Sequence, residues 1–188
     1  MTTAGQRPNS SSSRDLSDGD LVARSVDDLE AFGELVRRHQ DFVYGAALRV
    51  VRNPTIAQDV AQETFVRAYR GLAGFRGDAQ VRSWLYRIAT NLALNTVSRR
   101  REYPADSLPE RMGDDAPSRQ TELEALRSAL EDAIQALPEE QRIPLVLREY
   151  GGLSYQEIAD ETGLPLNTVR TRILRGRRAL RSAMEAWR

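Results

Sequence analysis

Cysteine and lysine are both absent from the 188 residues, and histidine occurs once, as His39. Without cysteine there is no disulfide framework, no thiolate zinc site and no cysteine nucleophile. Without lysine there is no P-loop lysine, no Schiff base and no lysine general base. A single histidine leaves Ser-His-Asp chemistry and histidine-rich metal sites hanging on one residue, and its polar neighbours point to a surface position for it. No apolar run approaches the roughly 20 residues that a membrane-spanning helix needs. The N-terminal stretch, with Asn9 followed by Ser10, Ser11, Ser12 and Ser13, lacks the basic and apolar regions of a signal peptide. These absences set most enzyme classes aside. They lead to the expectation of a cytoplasmic chain with no membrane insertion, no cofactor and no metal.

What is present is arginine. All 27 basic residues are Arg, balanced by 27 carboxylates, and 40% hydrophobic with 29% charged residues is an ordinary globular balance. The balance is not local. Residues 31–101 carry twelve arginines against five carboxylates, and residues 166–188 carry seven against one. The segments between and before them are acidic. Two basic blocks in a neutral chain suit polyanion binding, because arginine neutralises phosphate and releases counterions. Solvated helix faces would show the same charge pattern.

The periodicity is helical throughout, and no strand pattern competes. Residues 1–20 are polar and Ser-rich and read as a disordered tail. Leu29, Phe32, Val36, Val43, Ala47 and Val50 recur at helical spacing until Asn53-Pro54. A second helix runs through Ile56, Val60 and Phe65 to about Arg70. A third carries Val81, Trp84, Leu85, Ile88, Ala89, Leu92, Ala93, Thr96 and Val97 on one face, opposite Arg82, Arg87, Asn91, Asn95 and Arg99. Residues 102–121 hold three prolines, a glycine and several acids without periodicity, the composition of an extended acidic linker. The fold class expected is therefore all-α, with two small helical domains at 21–101 and 122–188.

The second domain carries the most informative pattern. Ser154 and Glu157 form a capping-box signature, the turn follows at Thr162-Gly163-Leu164, and a long basic helix enters at Pro165-Leu166-Asn167-Thr168. That is the layout of a helix-turn-helix. On its wheel Val169, Ile173, Gly176 and Leu180 share the inner face. Thr171, Leu174, Arg175 and Arg178 point outward, flanked by Arg170, Arg172 and Arg177. Guanidinium groups there can reach guanine edges or phosphates, and an outward Leu174 suits a thymine methyl.

Leu153-Ser154-Tyr155-Gln156-Glu157-Ile158-Ala159 together with Asn167-Thr168-Val169-Arg170-Thr171-Arg172-Ile173-Leu174-Arg175-Gly176-Arg177-Arg178 resembles the fourth region of bacterial sigma factors of the extracytoplasmic-function type. Asp59-Val60-Ala61-Gln62-Glu63-Thr64-Phe65 is similar to that family's core-polymerase-binding helix. Phe75-Arg76-Gly77-Asp78 with Trp84 to Asn91 is similar to its promoter-melting segment. The chain departs from the family at Asn167, where Gly is frequent, and at Thr171, where Ser is; Asn167 should keep the fold as a helix cap.

The resemblance implies partners and roles. Core RNA polymerase would be gripped through Asp59, Gln62, Glu63 and Phe65. By residue chemistry alone, the i,i+4 pair Asp59 and Glu63 could also be a metal or acid-base pair or a solvated face. Promoter DNA would meet Arg76, Asp78, Asn91 and Asn95 at an unpaired base of the −10 element, with Arg82, Arg87 and Arg99 on phosphates. The run Arg99-Arg100-Arg101 suits phosphate contact or the helix dipole equally. The −35 element would meet Asn167, Thr168, Arg170, Thr171, Arg172, Leu174, Arg175 and Arg178. An anti-sigma factor is a further implied partner. Two other functions fit the residues without the resemblance, a dimeric helix-turn-helix regulator and a helical protein-interaction module.

Overall fold

A computed structural model describes residues 16–75, 80–102 and 121–185. Among these residues there are eight α-helices and no strand. The first four are α1 (Asp18–Ser25), α2 (Leu29–Val51), α3 (Pro54–Gly71) and α4 (Val81–Glu102), with a short 3-10 turn at Leu72–Gly74. The second four are α5 (Glu122–Ala136), α6 (Glu139–Glu149), α7 (Tyr155–Thr162) and α8 (Leu166–Ala183). No helix of the described residues is long and apolar enough to cross a membrane.

Local chemistry sets most of the boundaries. Asp28 caps α2 by accepting from the Glu30 amide at 2.9 Å. Asn53 caps α3 by accepting from the Ile56 amide at 2.9 Å, with Pro54 in the first turn, where its missing N–H costs nothing. Between them Arg52 takes a left-handed conformation, φ 55°, and lets α2 reverse directly into α3. The α7 capping box forms as its sequence signature implies: the Glu157 amide donates to Ser154 Oγ at 3.1 Å and the Ser154 amide to Glu157 Oε2 at 2.8 Å. Thr121 and Glu124 make a second such box at α5. Gly163 closes α7 at φ 66°, where a side chain would be strained.

Helices α1 to α4 pack around Leu21, Leu35, Val43, Val50, Val60, Leu85 and Ala89, all nearly sealed from solvent. The second group closes on Ile134, Leu145, Leu147, Ile158, Val169 and Ile173. Two differences from the sequence reading occur at the N-terminus. The polar stretch taken for a tail to residue 20 already starts a helix at Asp18, capped by Ser17, because Leu21 and Val22 find a groove against α2. Since α1 lies there, His39 is not a surface residue. It is 8% exposed, with Nε2 2.7 Å from Asp18 Oδ2. On α5, by contrast, Leu123 and Leu126 are exposed, and only Ile134 of that helix is buried.

The two groups touch. Arg142 of α6 is 1% exposed and its guanidinium donates to Arg49 O at 2.7 Å, Val50 O at 3.1 Å and Leu137 O at 3.3 Å. It thereby satisfies carbonyls that the end of α2 leaves without helical partners, at the negative pole of that helix. Burial lowers its pKa to about 10, which still leaves it charged at neutral pH. Arg49 forks onto Glu131 of α5, the Nε to Oε2 arm measuring 2.9 Å, and its guanidinium lies 4.2 Å from the Tyr150 ring centre. Tyr86 of α4 is fully buried and donates to Val146 O at 2.8 Å. Hydrogen bonds from charged donors contribute about 1.5–3 kcal/mol each, so the Arg142 triad outweighs the exposed ion pairs nearby.

Candidate nucleic-acid interface

Helix α8 sets up the first candidate surface. Val169, Ile173 and Gly176 are buried against α6 and α7, and Gly176 is small for a reason. A Cβ there would stand 3.2 Å from Leu145 Cδ2 and 3.4 Å from Gln141 O, so α6 and α8 approach closely enough that a larger residue would require Leu145 to give by a few tenths of an ångström. The opposite face is open: Arg170, Thr171, Arg175 and Arg178 are exposed, and Leu174 remains 49% exposed. Two arginines of the helix also reach carboxylates of α6. Arg177 is tied to Glu149 of α6 at 2.6 Å, and Arg172 approaches Glu140 at 3.5 Å. Arg170 lies 5.9 Å from the Tyr155 ring centre, with Arg148 at 4.9 Å from the same ring.

The entry to α8 differs from its sequence reading. Pro165, not Asn167, occupies the cap position, and no side chain caps it. Asn167 sits inside the first turn, where its carbonyl accepts from Thr171 Oγ1 at 2.9 Å. Proline's extended backbone is sufficient to start the helix, so the first-turn amides face outward with Asn167 exposed beside them.

Helix α4 is the second surface. Arg82, Arg87, Asn95 and Arg99 are exposed and Asn91 is half-buried. Arg82 lies across the Phe42 ring at 4.0 Å. Trp84 belongs to the apolar side, 4.9 Å from Phe75. Arg87 pairs with Glu157 at 2.6 Å, and Asn91 Nδ2 reaches Glu161 at 3.4 Å, so part of the polar face meets α7. Arg76 and Asp78 lie outside the described residues.

Helix α3 is the third. Asp59 and Gln62 are exposed, Glu63 pairs with Arg67 one turn on at 2.7 Å, and Phe65 is partly buried against the core. Beside them Val36, Tyr44, Pro54, Ala61 and Phe65 line an open groove of about 490 Å³ rather than a closed cavity. Among the described residues there is no group of three or more His, Asp or Glu side chains that could hold a metal ion.

Glu157 links the second domain to α4 and has a pH signature. The Ser154 amide and hydroxyl, followed by Arg87, hold its carboxyl below the usual range. Its contribution is therefore present above the ordinary carboxylate pKa and is lost as pH falls through the depressed value. Thermal melts from neutral pH down to about pH 3 should show wild type more stable than Glu157→Gln at neutral pH and the gap closing in acid. A constant gap would assign the difference to shape rather than charge.

Two helical bundles, one presenting an Arg-rich helix-turn-helix and the other a polar Arg/Asn helix face, define a DNA-reading transcription protein. Residues 35–103 match Sigma-70 region 2, and residues 127–180 match Sigma-70, region 4. The chain is 40% identical over 172 residues to the RNA polymerase sigma-H factor of Pseudomonas aeruginosa, covering 84% of this chain and 88% of that one. It is 37% identical over 183 residues to the ECF RNA polymerase sigma-E factor of Haemophilus influenzae, covering 90% and 96%. Among solved structures, CnrH in complex with the cytosolic domain of CnrY is 30% identical with a TM-score of 0.54, covering 90% of this chain and 97% of that one. The sigma factor RpoE of Bartonella quintana, solved with the anti-sigma factor NepR, shares the fold at 19% identity and a TM-score of 0.59, covering 84% and 98%. The chain belongs to the sigma-70 family, as an ECF RNA polymerase sigma factor. It binds core RNA polymerase and promoter DNA and directs promoter-specific initiation, and catalyses no reaction itself.

Sequence reasoning missed Tyr86, Arg49 and Arg142. Arg49 and Arg142 lie on no recognisable motif, and Tyr86, though within the segment that resembles the promoter-melting one, falls between the two faces drawn on α4. The one available signal was an arginine directly before an apolar stretch, Ile143 to Leu147, and it is equally compatible with a surface position.

Proposed function

We propose that the labour of initiation divides between the two domains. The second reads the −35 element as duplex through Asn167, Thr168, Arg170, Thr171, Arg172, Leu174, Arg175 and Arg178. The first captures the opened −10 element with Arg76, Asp78, Asn91 and Asn95, and follows its phosphates with Arg82, Arg87 and Arg99. Asp59, Gln62, Glu63 and Phe65 form the handle for core polymerase. One observation carries this reading above the others: α8 buries Val169, Ile173 and Gly176 yet leaves an outward stripe of arginines around a half-exposed Leu174. A purely solvated helix gains nothing from a leucine there, whereas a major groove offers thymine methyl groups. The acidic linker, residues 102–121, joins the domains; all of it but its two end positions lies outside the described residues. The site of action is the cytoplasm, where core polymerase and DNA are, and an anti-sigma protein covering both domains is the regulatory partner this design would take.

The test is run-off transcription. Core polymerase supplied with this chain should start RNA at a discrete site on a cognate promoter and not without it. In the same assay Asp78→Ala with Asn91→Ala should keep closed-complex footprints and lose permanganate reactivity of thymines near the start site. Equal loss at both stages would mean a folding defect. Unchanged opening would reject base capture by the first domain.

A further inference from the structure

Two arginines on the polar face of α4 are held in different ways. Arg87 meets a carboxylate, Glu157 at 2.6 Å. Arg82 meets a ring instead: its guanidinium carbon stands 4.0 Å from the centre of Phe42, on α2. Among the described residues no carboxylate pairs with Arg82, and the residue is exposed. The difference is chemical. A carboxylate takes the N–H edge of a guanidinium, the edge a phosphate needs, whereas a ring takes the flat face and leaves the N–H donors unused. The arginine does not serve α4 itself, because it lies in the first turn, where a cation opposes the helix dipole. Its seat is firmly set. Phe42 packs partly buried against the core, and its ring centre lies 5.8 Å from that of the fully buried Tyr86.

We infer that Phe42 is a positioning residue for promoter capture: its ring holds the Arg82 guanidinium in place, N–H edge unpaired, for a backbone phosphate of the opened −10 strand. This rests on the assignment of α4 to promoter DNA. A long, exposed arginine ordinarily gives up much side-chain freedom when it grips a phosphate, and that loss offsets part of the attraction. Stacked on a fixed ring, Arg82 has already given up most of it. The stack need not break when phosphate arrives, because ring and phosphate use different parts of the guanidinium. Phe42 thus acts through Arg82 and makes no contact of its own with the strand. An exposed cation–ring pair corresponds to about a two- to fivefold effect on a binding equilibrium.

The experiment uses holoenzyme assembled from core polymerase and the full chain, titrated with a short fluorescent single strand that spans the −10 element. Phe42→Leu should weaken binding about two- to fivefold, and Phe42→Tyr, which keeps the ring, should bind as wild type does. Arg82→Ala should weaken binding at least as much as Phe42→Leu and lower the salt slope by about 0.7, the loss of one single-strand phosphate contact. With Arg82 gone the ring has nothing to hold, so adding Phe42→Leu to Arg82→Ala should cause no further loss. Phe42→Met takes the place of Phe42→Leu should the latter lose its helical circular dichroism. A folded ring-less variant that binds the strand as tightly as wild type would overturn the seat. So would a full second loss in the Arg82→Ala background, since the ring would then act without the arginine. If Arg82→Ala itself left affinity and salt slope unchanged, the assignment of Arg82 to the strand would fall, and the seat with it.

Discussion

Reversing Asp59 and Glu63 to Arg should abolish co-purification with core RNA polymerase at physiological salt while the chain stays folded. The two carboxylates project from α3 on the side away from Val60 and Ala57, which are buried, so the change need not disturb the core. Among the described residues Glu63 pairs with Arg67, one turn along the same helix. Such an exposed pair contributes about 0–1 kcal/mol, and losing it has little effect on stability. At a docked surface the arithmetic differs, because a desolvated charge facing a like charge has neither water nor a partner. A cost of roughly 2–5 kcal/mol corresponds to about a thirtyfold to several-thousandfold loss of affinity. Circular dichroism and a thermal melt provide the folding control. A folded double variant that still binds core polymerase would remove α3 as the handle and move the search to the groove between α2 and α3.

Replacing Arg170 and Arg175 by Ala should erase the −35 footprint without loss of polymerase binding. Each arginine directed at a base edge or phosphate is worth about 1–3 kcal/mol, and the two are separated enough along α8 for their losses to combine. Arg177 offers the contrast within the same helix. Its guanidinium is held on Glu149 at 2.6 Å, so Arg177→Ala should leave DNA affinity nearly unchanged and, as the loss of an exposed pair, lower stability by no more than about 1 kcal/mol. Footprinting of the holoenzyme at several salt concentrations separates the cases. Loss of a phosphate contact lowers the salt slope by about one, whereas loss of a base contact changes sequence preference at constant slope. An unchanged footprint in the double variant would mean that the outward face of α8 is not the reading surface.

The helix-turn-helix was legible from sequence because each of its parts is a local matter. A capping box is settled within four residues, a glycine turn within one, and the sidedness of α8 within two turns. The same locality made α2, α3 and the apolar side of α4 readable. Where one residue's state depends on a distant segment, the reading failed. Asn167 looked like a cap by type, but Pro165 already sets the backbone that starts the helix. His39 looked exposed by its neighbours in sequence, and is buried because α1 folds back over it.

By itself, then, the amino-acid sequence determined an all-helical chain with an Arg-rich recognition helix and a carboxylate helix, and through its motifs the family. Periodicity, capping and charge act over a few residues, so no tertiary information is needed to read them. Only the tertiary structure decided how the two bundles meet. Arg142 on the carbonyls of Arg49 and Val50, Tyr86 on Val146 O and Glu157 on Arg87 join positions 60 to 93 residues apart. Buried backbone acceptors at the end of a helix accept any well-placed donor, and nothing in the local sequence of α2 says that the donor is an arginine from α6.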